Sequence, residues 1–270
     1  MRIVRFVTSS ESTPRWGLLT SGSEGGSEGE MVTPLADAPY RTLDAAGNYQ
    51  AVAGGAPIPV WQVTMLPPVQ PSKILCVGRN YAAHAAELGN TVPTSPLIFL
   101  KTPSSLIANG DNVVYPKISQ RLDYEGELAV IIGKRCKHVD AANAAEVIFG
   151  YAVANDVTAR DLQKVEDQWS RAKGCDTFGP IGPWVETDFN PSNRRIRTLV
   201  NDELKQDSNT DLMVYSIGKV IAHITAGITL EAGDLILTGT PAGISPVQPG
   251  DVMTVEIEGL GSISNPVVAE

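Results

Sequence analysis

The stretch RLDYEGELAVIIGK, residues 121–134, combines alternating acidic positions with an unbroken apolar run. Glu125 and Glu127 stand two positions apart, and the residues from Leu128 to Ile132 are all apolar until Gly133 interrupts them. This pattern predicts a strand that begins at a cleft and continues into a core. Because alternate side chains of a strand point to the same face, we expect the two glutamates to lie side by side, with Cα atoms about 6.5 Å apart.

A second stretch, YAVANDVTARD at residues 151–161, predicts another buried strand, which ends at Asn155 and Asp156. Two neighbouring carboxylates repel each other and resist ionisation unless a cation lies near them. Together with Glu125 and Glu127, Asp156 would complete an all-oxygen site for a divalent metal. A solvated strand face is the commoner use of a Glu-x-Glu pair, but carboxylates beside a buried run are unfavourable unless they are paired or coordinated.

The composition is that of an ordinary globular protein with enough apolar residues for a sizeable core. Of the 270 residues, 43% are hydrophobic and 19% are charged, which suits one large domain, or one domain with a small appendage. The net charge of −9 argues against nucleic acid as a partner, since phosphate binding needs clustered Lys and Arg. No apolar run approaches the roughly 20 residues that span a bilayer, so no membrane partner is expected. Local cations could still bind a small acidic substrate.

The cysteines Cys76, Cys136 and Cys175 are few, odd in number and far apart, without metal-type spacing. The N-terminal residues MRIVRFVTSS lack the long apolar segment of a signal peptide. We therefore expect a cytoplasmic protein with reduced thiols.

Prolines at positions 67, 68 and 71 indicate a domain boundary near residue 70. Residues 1–70 are predicted to form a small N-terminal α+β domain, and residues 71–270 a larger second domain. Within the first, the tract SGSEGGSEGE at 21–30 has too little apolar surface to pack, and we expect a mobile loop there.

Two further stretches carry candidate site residues. GRNYAAHAAELGN, residues 78–90, predicts a short helix that places His84 and Glu87 on one face. A histidine beside a carboxylate is held in one tautomer and is a candidate general base, although an exposed surface pair is the alternative. TGTPAG, residues 238–243, could hold an anionic group through backbone amides and hydroxyls, or could be a plain turn.

Six stretches of the sequence resemble segments of the fumarylacetoacetate hydrolase family, in the same order and spacing. They are GRNYAAHAAE, DYEGELAVIIG, NDVTARDLQ, QWSRAKGCDTFGPIGPW, LTGTPAG and PGDVMTVEIEGLGSISNPV. The resemblance covers roughly residues 72–268. Residues 1–70 resemble the small N-terminal domain of bacterial members only loosely, and the tract at 21–30 looks like an insertion. Ser262-Ile263-Ser264 also stands where a Thr-Leu-like pair is more usual.

The resemblance implies a fold, an assembly and a cofactor. The implied fold class is α+β, predominantly mixed β, with a roll of packed β-sheets forming the catalytic domain beside a small N-terminal domain. The implied assembly is a homodimer. The implied cofactor is Mg²⁺ or Mn²⁺, held by the residues that match Glu125, Glu127 and Asp156.

The resemblance also implies roles for other positions. His84 and Glu87 match a catalytic His–Glu pair on a lid helix that closes when substrate binds, and Lys173 matches a catalytic position that contacts the substrate. The positions implied to bind substrate are Arg79, Tyr81, Gln163 and Thr240.

A divalent ion held by three carboxylates leaves positions for a chelating ligand, and the carboxylate and 2-oxo oxygens of an α-keto acid fit them. The ion would polarise the ketone and stabilise the enolate formed when the C3–C4 bond breaks, with Lys173 beside that charge. In a hydrolase, His84 oriented by Glu87 would activate the attacking water. A decarboxylase needs no water, and an isomerase reprotonates the same enolate elsewhere.

We therefore expect a metal-dependent enzyme that cleaves a C–C bond in a short 2-oxo acid, as an acylpyruvate hydrolase or an oxaloacetate decarboxylase does. Cleavage is preferred because the His84–Glu87 pair is intact. The alternative is a 2-hydroxyhepta-2,4-diene-1,7-dioate isomerase or a related tautomerase. A non-catalytic metal-binding protein of the same fold is a third interpretation, which is disfavoured because every site position carries a chemically competent residue.

Overall fold

The computed structural model describes residues 1–21, 29–41 and 48–270, and strands dominate this part of the chain. The strands are β1 Arg2–Thr8, β2 Glu11–Thr20, β3 Met31–Pro34, β4 Ile58–Pro59, β5 Val63–Leu66, β6 Ile74–Gly78, β7 Leu97–Lys101, β8 Leu106–Ile107, β9 Val113–Tyr115, β10 Leu122–Asp123, β11 Gly126–Ile132, β12 Ile148–Asn155, β13 Thr158–Ala159, β14 Gly179–Glu186, β15 Arg195–Val200, β16 Glu203–Asn209, β17 Leu235–Leu237, β18 Pro246–Val247, β19 Val252–Ile257 and β20 Gly261–Ala269. The α-helices are α1 Ala82–Glu87, α2 Arg160–Val165, α3 Ser170–Gly174 and α4 Ile217–Thr225. Short 3₁₀ turns cover Pro39–Arg41, Val60–Gln62, Pro103–Ser105, Ala141–Val147 and Thr210–Leu212.

The strands form one large sheet and two smaller ones. In the twelve-stranded sheet, ten strands follow the order β4-β3-β2-β1-β14-β12-β11-β17-β6-β7, while β5 pairs with β1 and β8 with β14. A five-stranded sheet has the order β16-β15-β19-β20-β9, and a three-stranded sheet has the order β13-β10-β18. Most pairs are antiparallel, such as β11–β12, and some are parallel, such as β17–β6. The predicted fold class, α+β with predominantly mixed β structure, is confirmed.

Strand β11 is buried along its whole length, which explains its apolar run. Leu128, Val130 and Ile132 pack into one hydrophobic core, and Ala129 and Ile131 pack into a second. Successive side chains of a strand point to opposite faces, so the two cores lie on the two sides of the sheet. A strand covered on both faces has no solvated face to fill with polar residues, and from Leu128 onward the sequence is accordingly apolar without alternation.

The first of these cores is closed by the five-stranded sheet and by α4. The side chains that reach it from these elements include Ile196, Val255, Ile257, Ile263, Val220, Ile221 and Ile224. Helix α4 begins after Ser216, whose hydroxyl accepts a hydrogen bond from Lys219 N at 3.4 Å. The large sheet is thus packed against a second layer, as a roll of packed sheets requires.

The N-terminal strands extend the large sheet, because β1 pairs with β14 and places Arg2 opposite Glu186. The division into domains at residue 70 stays a prediction. The predicted mobile loop at 21–30 falls mostly on residues 22–28, which lie outside the described residues. In the described ranges, no helix has the length and apolar character needed to cross a membrane.

Asp234 ties two strands of the large sheet together at one end. Its buried carboxylate accepts hydrogen bonds from the backbone N–H groups of Ser72 at 3.0 Å, Lys73 at 3.2 Å and Glu231 at 2.8 Å. The Ser72 hydroxyl donates to it at 2.7 Å, and the Lys73 ammonium pairs with it. Because β6 and β17 begin directly after these residues, this one carboxylate fixes the start of both strands.

Replacing Asp234 by Ala should lower the free energy of unfolding by about 3 kcal/mol, because several buried donors lose their acceptor at once. Chemical denaturation followed by circular dichroism measures the change. Glu203→Gln is the control, since Glu203 is an exposed partner of Lys205, and its effect should stay within about 0.5 kcal/mol. An Asp234→Ala protein as stable as the control would show that this carboxylate does not hold the strand ends.

Candidate metal and active site

Three carboxylates meet where β11 begins and β12 ends. The two strands are antiparallel with Gly126 opposite Asn155, which brings Glu125 and Glu127 beside Asp156. Each of the three acidic residues is at most 4% exposed, and one oxygen of each lies within 4.8 Å of the others. The structure therefore brings together the three residues that the sequence predicted as metal ligands.

Buried polar side chains fix the backbone around these carboxylates. Asn155 Oδ1 accepts from Glu125 N at 2.9 Å, and Gln206 Oε1 accepts from Gly126 N at 3.0 Å. A side chain at Gly126 would place its Cβ 2.3 Å from the hydroxyl oxygen of Thr198. Close packing from the neighbouring sheet thus explains why a glycine separates the two glutamates.

Two of the three carboxylates are neutralised by buried cations. Lys173 Nζ donates to Glu125 Oε2 and to Asp156 Oδ2, at 2.7 Å each, and Arg160 pairs with the other oxygen of Glu125. Burial acts to raise the pKa of Glu125, but Lys173 and Arg160 hold that pKa below its usual value. Burial acts to lower the pKa of Lys173, but Asp156 and Glu125 raise it above its usual value, so the lysine stays a cation.

Among the residues that the structure describes, Glu127 has no such ion-pair partner. Gly239 N donates to Glu127 Oε2 at 2.6 Å, and no lysine, arginine or histidine in the described ranges forms an ion pair with this carboxylate. Burial raises the pKa of Glu127 well above its usual value, and the charges of Asp156 and Glu125 raise it further. A buried acid without an ion-pair partner among the described residues, beside two other carboxylates, fits a divalent cation, because hard oxygen ligands are those that Mg²⁺ and Mn²⁺ prefer.

A cavity of about 260 Å³ adjoins the carboxylates. Helix α1 contributes His84 to its wall, and His84 Nδ1 lies 3.3 Å from Glu87 Oε2. Glu87 Oε1 in turn accepts from Gly243 N at 3.0 Å, which links the helix to the loop at 238–243. The volume lies below the usual range for drug-sized ligands, roughly 300–1,000 Å³, and therefore favours a small substrate.

Most of the site positions predicted from the sequence line this cavity. They are Arg79, His84, Glu125, Glu127, Asp156, Gln163, Lys173 and Thr240. Glu87 is connected to the wall through His84. Tyr81 is buried, forms an isolated β-bridge with Met213, and does not belong to the wall that the described residues form. The roles of these residues toward a substrate stay predictions.

Arg160 is a residue of the site that was not predicted from the sequence. It is 2% exposed, and it donates to Asp123 Oδ2 at 2.9 Å and to Gln163 Oε1 at 2.6 Å. The sequence feature that could have indicated Arg160 is its position in NDVTARD, close after a predicted buried strand. Lys101 and Gln206 also hold the site, but their partners lie 55 and 80 positions away in the sequence, so no local pattern indicated them.

The sheets and the acidic centre at the strand ends define a protein of the fumarylacetoacetate hydrolase type. Residues 73–268 match the family model for the fumarylacetoacetate (FAA) hydrolase C-terminal region, and the chain belongs to this family. A mitochondrial oxaloacetate tautomerase of Bos taurus is 40% identical to the chain over an alignment of 291 positions, which covers 99% of this chain and 92% of that protein.

Solved structures agree with this assignment. The crystal structure of 2-hydroxyhepta-2,4-diene-1,7-dioate isomerase from Mycobacterium marinum is 38% identical, with a TM-score of 0.88 over 100% of this chain and 99% of that chain. A fumarylacetoacetate hydrolase from psychrophilic Exiguobacterium antarcticum is 35% identical, with a TM-score of 0.82 over 100% of both chains. The chain therefore belongs to a family of enzymes that includes a tautomerase, an isomerase and a hydrolase.

Replacing Glu127 by Gln should weaken Mg²⁺ and Mn²⁺ binding by on the order of a hundredfold or more, because it removes one of three charged ligands without breaking an ion pair. Isothermal titration calorimetry on metal-free protein measures the affinity. Glu146→Gln, which neutralises an exposed glutamate outside the cavity wall, is the matched control and should bind as the wild type does. Equal affinities for the two variants would contradict the assignment of Glu127 as a ligand.

Proposed function

We propose that this protein is a divalent-metal-dependent enzyme that acts on a short 2-oxo acid by way of its enolate. The observation that carries the proposal is the group of three buried carboxylates, Glu125, Glu127 and Asp156, on the wall of a small cavity. Three buried carboxylates grouped in this way fit a divalent cation, and a cation at the wall of a small cavity is suited to a chelating acid.

The proposed cofactor is Mg²⁺ or Mn²⁺, held by these three carboxylates. When bound, the ion would supply Lewis-acid polarisation of the 2-oxo group. The fit rests on the donor set, which consists of hard oxygens, and on the lack of an ion-pair partner for Glu127 among the residues that the structure describes.

The cations of the site are proposed to stabilise the negative charge of the substrate and of its enolate. Lys173 lines the cavity, and its raised pKa keeps the ammonium protonated at neutral pH. Because Gln163 Oε1 accepts from Arg160 at 2.6 Å, the amide nitrogen of Gln163 is the group that can donate to an acidic substrate. Arg79 and Thr240 also line the cavity and are proposed as further substrate contacts. Tyr81 stays a predicted contact.

His84 is the proposed general base. Its Nδ1 is held by Glu87 at 3.3 Å, which orients the ring and leaves Nε2 to accept a proton. In a hydrolytic reaction, Nε2 would take a proton from the water that attacks the carbonyl distal to the 2-oxo acid. The bond from Gly243 N to Glu87 keeps the pair attached to the loop at 238–243.

Two reactions pass through this enolate, which C3–C4 cleavage releases as the leaving fragment and which tautomerisation forms by loss of a proton from C3. The first is cleavage of the C3–C4 bond, as in an acylpyruvate hydrolase or an oxaloacetate decarboxylase, and it is supported by the intact His84–Glu87 pair. The second is keto–enol tautomerisation or isomerisation. It is supported by the relatives named as an oxaloacetate tautomerase and as a heptadienedioate isomerase, which are 40% and 38% identical to the chain.

The proposed partners are the 2-oxo acid and a second copy of the chain in a homodimer. Neither a nucleic acid nor a membrane is proposed as a partner, in keeping with the net charge of −9. The cytoplasmic location stays a prediction.

Incubating the Mg²⁺-loaded protein with acetylpyruvate, oxaloacetate and an unsaturated 2-oxo dioic acid separates these reactions. Hydrolysis gives pyruvate and acetate from acetylpyruvate, decarboxylation gives CO₂ from oxaloacetate, and tautomerisation changes the ultraviolet absorbance of the enol without CO₂. We expect turnover of at least one acid, abolished by EDTA and restored by Mg²⁺. Turnover that is insensitive to EDTA, or no turnover of any of these acids, would overturn the proposal.

Replacing His84 by Ala should lower the kcat for acylpyruvate hydrolysis by roughly 10²- to 10⁴-fold, because the attacking water loses its base. Any decarboxylation of oxaloacetate should fall far less, since that reaction activates no water. Steady-state kinetics with both acids measure the difference. His223→Ala, at an exposed position of α4, is the matched control and should leave both rates unchanged. Equal losses of both activities in the His84 variant would contradict this division of roles.

A further inference from the structure

Lys101 is a buried cation behind the acidic site. It ends strand β7, its side chain is fully buried, and it does not line the cavity that the described residues form. Its ammonium donates to Asp156 Oδ1 at 2.7 Å, to Val157 O at 3.2 Å and to Lys173 O. These three acceptors match the three N–H donors of an ammonium group.

This arrangement distinguishes the two oxygens of Asp156. Oδ1 is bound to Lys101, whereas Oδ2 lies 2.7 Å from the Nζ of Lys173, a residue of the cavity wall. Lys101 therefore leaves Oδ2 as the oxygen that Asp156 can offer to a ligand in the cavity. Its bond to the carbonyl of Lys173 holds the end of α3 that carries the other lysine.

Charge alone does not account for a lysine at this place. Burying an ammonium is unfavourable unless close, well-oriented partners offset the loss of water. A positive charge behind a metal ligand also repels the metal. All three partners of Lys101 belong to the site, two of them to the segment 156–157 and one to Lys173. A group that hydrogen-bonds to a metal-binding side chain, on the side away from the metal, orients that side chain. The geometry of Lys101 fits this role.

We propose that Lys101 is a positioning residue of the metal site, which holds one oxygen of Asp156 toward the cavity and keeps Lys173 in place beside it. This inference rests on the proposed function, because a bound divalent metal is its premise. According to this proposal, metal binding depends on a residue that contacts neither the metal nor the substrate.

The test compares Mn²⁺ affinity of metal-free wild-type protein and of Lys101→Arg by isothermal titration calorimetry, with the electron paramagnetic resonance spectrum of bound Mn²⁺ as a second readout. Arginine keeps the charge, but its planar fork cannot direct N–H groups from one point to three acceptors. We expect an affinity on the order of tenfold to a hundredfold lower and an altered Mn²⁺ spectrum. Unchanged affinity with an unchanged spectrum would overturn the proposal.

A second pair of variants separates position from charge. Lys101→Met and Lys173→Met each remove one positive charge that lies 2.7 Å from Asp156. If charge alone mattered, both variants would bind Mn²⁺ more tightly than the wild type, and Lys173→Met the more so because Lys173 also pairs with Glu125. Positioning instead predicts that Lys101→Met binds Mn²⁺ about tenfold or more weakly than the wild type does. A Lys101→Met affinity equal to or above that of the wild type would refute the positioning role.

Lys73→Met controls for a general loss of stability, because Lys73 pairs with the buried Asp234 outside the cavity wall. It should bind Mn²⁺ as the wild type does, even with a lower melting temperature. An equal loss of affinity in this control would mean that Lys101 affects Mn²⁺ binding only through the overall stability of the protein. Failure of the wild type to bind Mn²⁺ would contradict the proposed function itself, whereas wild-type-like binding by Lys101→Arg would contradict only the role of Lys101.

Discussion

Charge compensation among buried carboxylates is the constraint on which the site depends. Glu125 and Asp156 share the ammonium of Lys173, and Asp156 also binds Lys101. Glu127 accepts a hydrogen bond from the backbone amide of Gly239, and burial, with the charges of Asp156 and Glu125, raises its pKa. Unscreened charges in a protein interior interact strongly, so each cation has to be close to its partner. The fold must therefore bring Lys101 of β7 and Lys173 of α3 close to the place where β11 begins and β12 ends.

The five-stranded sheet contributes side chains to the site as well as to the core. Gln206 of β16 accepts hydrogen bonds from Gly126 N at 3.0 Å and from the Thr198 hydroxyl at 2.6 Å. Its amide nitrogen donates to Thr240 Oγ1 at 2.8 Å and to Pro241 O at 2.7 Å. Both donors and both acceptor positions of the amide are thus used, which fixes its orientation. This one buried side chain joins the start of β11 to the loop that also contacts Glu127 and helix α1.

Local sequence pattern was sufficient for a large part of the site. Acidic residues next to apolar runs placed the three carboxylates at strand ends, where the structure groups them. Helical spacing paired His84 with Glu87, and these side chains are in contact. The resemblance to the family, rather than local pattern, indicated Tyr81, which directly precedes the same helix. Tyr81 is buried but does not line the cavity that the described residues form, and its role toward a substrate stays a prediction.

Residues close together in the chain were enough to predict the features with local signals: a buried strand through Leu128 to Ile132, a short helix with His84, and oxygen ligands suited to a divalent metal. Such signals need only neighbouring residues, since strand alternation and helical spacing repeat over a few positions. The three-dimensional fold, in contrast, is needed to see that Lys101 binds Asp156 across 55 positions and that Gln206 binds Gly126 across 80. It also shows that the N-terminal strands join the large sheet through β14. These pairs arise when distant strands are brought side by side, and no local periodicity specifies which strands those will be.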